Sequence, residues 1–127
     1  MAGSNDSGIE AARKELFNDK PYVLTPINTT PTKAITVIEN LISQLGVNIH
    51  YCSPEEHDKA VSLISHLPVM TSASLIAACK KEPDAQVRQL AEKFASSGFR
   101  DTSRVGGGNP ELGVMMAKYN REALLMS

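Results

Sequence analysis

Two short apolar runs flank an amphipathic helical pattern in the first half of the chain, and their spacing admits few arrangements. Tyr22, Val23, Leu24 and Thr25 read as a short buried strand, closed by Pro26 and the turn-forming Asn28, Thr29 and Thr30. Residues 32–45 follow with Ala34, Ile35, Ile38, Leu41, Ile42 and Leu45 on one helical face, and Gly46 ends that helix. Residues 47–52 then read as a second strand. A strand, a helix and a strand at this spacing form a βαβ unit, so the two strands should lie parallel in one sheet. Parallel strands are normally buried on both faces and belong to sheets of several strands. Two cannot make such a sheet, so the chain is expected to be an α/β fragment.

Around this unit the pattern is helical. Residues 1–8 are small and polar, with nothing to anchor a fold, and a short helix is expected over residues 9–17, ended by Asn18 and Pro21. After the second strand, Ser53-Pro54-Glu55-Glu56 is a strong helix start: Ser53 can cap, Pro54 suits the first position and Glu56 closes a capping box. Ala60, Val61, Ile64, Leu67, Met70, Ala73, Ile76 and Ala77 continue that helix as an apolar stripe, which Pro83 stops. Pro68 removes a donor and crowds the Ile64 carbonyl, so a kink is expected that could aim His66 into a cleft. A satisfied boundary histidine is the other reading of His66. A further helix carries Val87, Leu90, Ala91, Phe94 and Ala95 on one face, with Gly98 at its left-handed C′ position and Phe99 as the apolar residue that follows. A last helix starts at Asn109-Pro110-Glu111, with Leu112, Met115, Met116, Tyr119 and Leu124 inward, and the chain is expected to stop inside it.

Charge and composition exclude several functions. The 127 residues carry a formal net charge of -1 and no basic run, which gives no pull toward nucleic acid or an anionic membrane. No apolar run approaches the roughly 20 residues of a membrane span. Cys52 and Cys79, with no signal peptide before them, suggest reduced thiols and a cytoplasmic protein. His57 and His66 fall on opposite faces of a helix and no ligand spacing surrounds them, so no metal site is expected. Gly106, Gly107 and Gly108 follow no strand and lack the dinucleotide pattern, and they read as a flexible turn.

The chemistry concentrates in residues 96–104, Ser-Ser-Gly-Phe-Arg-Asp-Thr-Ser-Arg. Arg100 and Arg104 flank Asp101 just past a helix end, and two guanidinium forks there can hold a carboxylate or a phosphate. The competing reading is a surface ion pair of these arginines with Asp101, individually weak.

Ile64-Ser65-His66-Leu67-Pro68, the stretch from Ser97 to Arg104 with Val105 and the three glycines after it, Asn109-Pro110-Glu111-Leu112 and Asn120-Arg121-Glu122-Ala123-Leu124 together resemble the prephenate/arogenate dehydrogenase family. The wording is most similar to the arogenate dehydrogenase branch that uses NADP. Met1-Ala2-Gly3 resembles the end of the family's His-Pro-Met-Ala-Gly motif, whose histidine handles the ring hydroxyl of the substrate. The resemblance therefore implies that no catalytic residue stands in this chain, that the catalytic histidine lies upstream of Met1, and that the nucleotide loop lies further upstream still. It implies residues 1–53 as the last βαβ unit of a Rossmann-like nucleotide-binding domain and residues 54–127 as the first helices of a helical dimerisation domain.

The implied activity is oxidative decarboxylation of arogenate or prephenate in tyrosine biosynthesis, with NADP (or NAD) as the hydride acceptor and a homodimer as the working form. By motif match Arg104 would grip a substrate carboxylate and His66 would line the ring pocket. Ser97, Gly98 and Asp101 would shape the loop around it, and Ser7 and Gly8 would border the site. Gly113 stands where prephenate-preferring members often carry an aromatic residue, which fits arogenate. The chain alone is expected to lack activity and cofactor binding. The alternative from a different class is a non-catalytic helical self-association module.

Overall fold

A computed structural model describes residues 8–127, which fall into two compact units, Met1–His57 and Asp58–Ser127. Ser7, and with it the motif at Met1-Ala2-Gly3, lies outside the described residues.

The first unit holds the expected βαβ element. Strand β1 (Pro21–Leu24) and strand β2 (Asn48–Tyr51) pair in parallel, with Pro21 opposite Asn48 and Leu24 opposite Tyr51, and helix α1 (Thr32–Ser43) connects them. Gly46 takes φ +67°, the left-handed conformation that ends a helix, and donates from its amide to the Ser43 carbonyl at 3.2 Å. The turn is tied back to the start of β1: the Asp19 N–H donates to the Gly46 carbonyl at 2.8 Å, and Asn48 Nδ2 donates to the Asp19 carbonyl at 3.2 Å. Ile42 is the buried hydrophobic residue of α1, at 3% exposure, while Ile38, Leu41 and Leu45 of the same pattern stay exposed. The expected helix over residues 9–17 is instead one 3-10 turn, Ile9–Ala11, after which Ala12 is extended. A helix of that length does not repay its nucleation without a packing partner.

A single helical run passes from Pro54 to Lys80 and enters the second unit, as helix α2 (Pro54–Val61), a π turn (Ser62–His66) and helix α3 (Leu67–Lys80). The capping box forms as expected: the Ser53 N–H donates to Glu56 Oε2 at 2.7 Å, and the Glu56 N–H donates to Ser53 Oγ at 3.2 Å. Pro68 does not stop the run, because the π turn directly before it shifts the hydrogen-bond ladder where a proline cannot join it. This corrects the expectation that nothing approaches a membrane span. The run of 27 residues includes an 18-residue window long and apolar enough by length and composition, and only 17% of that window is buried. The passage of the helix through Pro68 is what joins the two shorter apolar stretches.

Helices α4 (Ala85–Phe94), α5 (Ser97–Ser103), α6 (Pro110–Tyr119) and α7 (Arg121–Leu125) complete the second unit, with a 3-10 turn, Arg104–Gly107, between α5 and α6. The 3-10 turn and α5 pack on α3, and α6 and α7 pack on the π turn. Among the described residues the fully buried side chains are the small polar Ser62 and Ser72, not the expected apolar stripe, of which Val61 is buried and Ile64 is 73% exposed. Ser62 Oγ donates to the Lys59 carbonyl at 2.8 Å and lies 2.8 Å from Ser127 Oγ, which fastens the end of α7 to the π turn. The expected last helix is interrupted, with α7 reaching Leu125. It breaks at Asn120, whose φ of -120° and ψ of 34° are not helical.

Candidate functional site

Helix α4 begins where Asp84 accepts hydrogen bonds from the Gln86 and Val87 amides at 2.8 and 3.3 Å, and Arg88 Nη1 donates to the Glu82 carbonyl. It ends at Phe94, four residues before Gly98, because Ala95 turns extended and the chain re-enters a helix at Ser97. Gly98 is thus not a left-handed C′ glycine. It sits in the first turn of α5, its carbonyl accepts from Thr102 Oγ1 at 2.8 Å, and a Cβ there would meet nothing within 4 Å. Its contribution is open space at the surface beside Ser97. Phe99 of the same turn lines an apolar cavity of about 710 Å³ with Ile76, Cys79, Val87, Ala91 and Ala95.

Arg100 Nε meets Asp101 Oδ1 at 3.4 Å, with side chains 76% and 71% exposed, so this half of the Arg-Asp-Arg triplet is the weak surface pair. Arg104 takes no part in it. It is exposed at the first position of the 3-10 turn, and among the described residues its guanidinium has no ion-pair partner.

The backbone under Arg104 is firmly placed. Gly106, two residues on, donates its N–H to the buried Ser72 Oγ at 2.8 Å, and a Cβ on Gly106 would stand 2.3 Å from the Ala73 nitrogen. A real Cβ does not fit at that distance, so glycine is required by close approach of two backbones. The glycine run is therefore not a flexible turn at position 106, although Gly107 faces open space.

From there the chain travels antiparallel along α3. A Cβ on Gly113 would lie 3.8 Å from Met70 Cε and 3.9 Å from Val69 Cγ1, an ordinary van der Waals contact. Seven residues later Asn120 reaches the end of the π turn, where its Nδ2 lies 3.1 Å from Nδ1 of the half-buried His66 and donates to the Asp58 carbonyl at 2.8 Å. Gly106, Gly113 and Asn120 thus mark three levels on the helical run between Ala73 and His66. Those two residues are seven apart, about 10 Å along a helix and nearly on one face. The structure brings Ser97, Gly98, Asp101 and Arg104 onto one short stretch that docks on α3, and places His66 lower on the same helical run. Gly8 belongs to the other unit, exposed at φ +92°, and Ser7 is outside the described residues.

Sequence reasoning missed Ser72 and Asn120. A serine inside an apolar stripe gives no signal of its own. Asn120 falls inside the expected last helix, and the tendency of asparagine to leave helical conformation is the available clue.

Among the described residues nothing forms the glycine-rich strand-to-helix turn that cradles a dinucleotide pyrophosphate, and the space above Gly106 is filled by α3. No group of three or more His, Cys, Asp or Glu able to hold a metal occurs among them either.

Comparison with known proteins decides the family. Residues 53–127 match the family described as prephenate dehydrogenase, dimerization domain, and residues 1–51 match prephenate dehydrogenase, nucleotide-binding domain. The chain belongs to the prephenate dehydrogenase family. It is 36% identical to the prephenate dehydrogenase of Bacillus subtilis, covering 98% of this chain and 33% of that protein. It is 34% identical to the cyclohexadienyl dehydrogenase of Zymomonas mobilis, covering 98% of this chain and 42% of that one. Among solved structures it is 55% identical to Synechocystis arogenate dehydrogenase, with a TM-score of 0.86 over 99% of this chain and 45% of that one. It also resembles the prephenate dehydrogenase of A. aeolicus in complex with hydroxyphenyl propionate and NAD+, at 26% identity and a TM-score of 0.90 over 99% of this chain and 43% of that one. The chain thus spans a third to somewhat under half of the relatives it matches, and the two family matches meet near the end of β2. The helical run whose apolar surface lies largely uncovered falls within the stretch matched to a dimerization domain.

Proposed function

We propose that this chain forms part of an NAD(P)-dependent dehydrogenase that oxidatively decarboxylates arogenate or prephenate, and that its share of the work is to hold the substrate. The observation that carries the reading is Arg104: an exposed guanidinium with no ion-pair partner among the described residues, on a backbone locked to α3 through Gly106 and Ser72, above the residue that the family motif places against the ring. A fixed arginine is suited to a carboxylate, since its planar fork offers two parallel donors. His66 would meet the ring end of the same substrate, and Ser97, Gly98 and Asp101 would border the approach. Ser7 and Gly8 enter this reading by motif match alone.

Gly113 favours arogenate over prephenate. Its Cβ position faces Val69 and Met70, one turn from His66, so an aromatic side chain there would compete for the room beside the ring. The 55% identity to an arogenate dehydrogenase supports the same preference, and the nucleotide-binding family match with the relative solved with NAD+ supports a nicotinamide cofactor. The match to a dimerization domain supports a homodimer.

The test is the appearance of reduced nicotinamide when the enzyme containing this chain meets arogenate or prephenate with NADP or NAD. Turnover of arogenate with NADP in preference to the other combinations is expected. Absence of turnover with all four, alongside firm self-association, would favour a non-catalytic association module.

A further inference from the structure

We infer that Asn120 is a positioning residue that fixes the tautomer of His66, leaving Nδ1 as a hydrogen-bond acceptor and Nε2–H as the donor presented to a bound ligand. The backbone carbonyl of Asp58 can only accept a hydrogen bond. The Asp58 carbonyl oxygen lies 2.8 Å from the Asn120 side-chain atom assigned as Nδ2. An amide oxygen in that place would face another oxygen with no proton between them, so the amide orientation is settled by its neighbour. The same nitrogen lies 3.1 Å from His66 Nδ1. It carries two protons, one for the carbonyl and one for the ring, and a ring nitrogen that receives a proton in a hydrogen bond must offer a lone pair. The imidazole proton is then on Nε2. An Nδ1–H tautomer would set two N–H groups against each other at 3.1 Å.

The surrounding backbone is built for this contact. Asn120 is where α6 and α7 separate, its amide donates to the Met116 carbonyl at 3.1 Å, and its own carbonyl accepts from the Leu124 amide at 3.0 Å. Its side chain is therefore anchored by helices on both sides and by Asp58. His66 closes the π turn, a ladder irregularity that commonly marks functional positions. The residue is half-buried, and among the described residues Nε2 has no partner. A fixed Nε2–H beside a ring pocket suits a carboxylate or carbonyl oxygen and is wrong for accepting a proton. The part of this inference that concerns substrate rests on the function proposed above, whereas the tautomer does not.

Nitrogen NMR of the ring in the full chain, at about pH 9 where an ordinary imidazole is neutral, reads the tautomer directly. The His66 signals are those lost in His66→Gln. Nδ1 is expected as the unprotonated nitrogen and Nε2 as the protonated one. Asn120→Asp replaces the donor with an acceptor of the same shape and is expected to move the proton to Nδ1, while Asn120→Ala is expected to release the ring to the mixture found in free imidazole. A wild-type ring already protonated on Nδ1, or already in that mixture, overturns the inference, as does an Asn120→Asp ring unchanged from wild type. In the active enzyme Asn120→Asp is expected to lower kcat/KM about tenfold or more, the size of one charge-assisted contact. An enzyme with no dehydrogenase activity would refute the proposed function and leave the tautomer measurement to stand or fall by itself.

Discussion

The Gly106 amide donates to Ser72 Oγ at 2.8 Å while the Gly106 Cα presses on the α3 backbone so closely that a Cβ would stand 2.3 Å from the Ala73 nitrogen. This one contact holds the 3-10 turn that carries Arg104. Gly106→Ala must move one backbone against the other, at a cost of about 1–3 kcal/mol. Ser72→Ala strands a part-buried amide and is expected to cost a similar 1–3 kcal/mol. Gly107→Ala, with nothing within 4 Å of its Cβ, should cost far less. Denaturant unfolding of the three variants orders them, and a harmless Gly106→Ala would show that the turn is not docked.

The N-terminus of α4 offers a smaller test. Asp84 accepts from two amides, so Asp84→Ala should lose about 1 kcal/mol while Asp84→Asn, an equally good cap, should lose little. Equal losses for both would mean that charge rather than capping is at work.

Tyr51 and Glu39 make a pH-dependent pair in the first unit. The phenol donates to Glu39 Oε1, and this hydrogen bond to the carboxylate, aided by slight desolvation and the nearby negative charge, raises the Tyr51 pKa above its ordinary value of 10.0. A group whose folded pKa is raised contributes stability that is complete below the unfolded value and is lost as pH climbs through the folded one. The site is exposed, so the contribution to folding is small. Of the three tyrosines, Tyr51 should ionise late in an alkaline absorbance titration, and the late phase should vanish in Tyr51→Phe and move earlier in Glu39→Gln.

The uncovered apolar surface makes a prediction about association. Phe94 is 76% exposed, and Ile64, Val114, Leu112 and Met115 in the second unit stand exposed with it. Such surface on one small chain favours contact between copies. Light scattering over a concentration series should show a mass above that of a monomer, and a monodisperse monomer with a sharp thermal transition would contradict it.

Periodicity and caps make most of the elements legible in the sequence itself. The parallel pairing of β1 with β2, the Ser53–Glu56 box and the Asn109 cap all follow from local rules that act within a few residues or across one βαβ unit. What stays hidden depends on contacts distant in the chain. Gly98 reads as a helix terminator because Phe94 and Ala95 fit the preceding stripe, yet the chain re-enters a helix at Ser97. Gly106 reads as slack because its partner, Ser72, is 34 residues away, between the apolar positions that define the helix. The motif residues Arg104 and His66 are legible by resemblance, whereas Asn120, 54 residues from His66, becomes visible only through the break between α6 and α7.

Arg104 carries the account. If it holds a substrate carboxylate, Arg104→Ala in the active enzyme removes a charge-assisted contact worth about 1.5–3 kcal/mol, a loss of about 10- to 150-fold in kcat/KM. Most of that loss falls in KM if the contact is equally strong in ground and transition states. Arg104→Lys should recover only part of it, since an ammonium cannot make the two-pronged contact. Arg100→Ala, which breaks only the exposed pair with Asp101, should change little. The deciding measurement is KM for arogenate in Arg104→Ala beside its melting temperature: the account predicts a raised KM with an unshifted melting temperature, and an unchanged KM with a lowered melting temperature would remove Arg104 from the site.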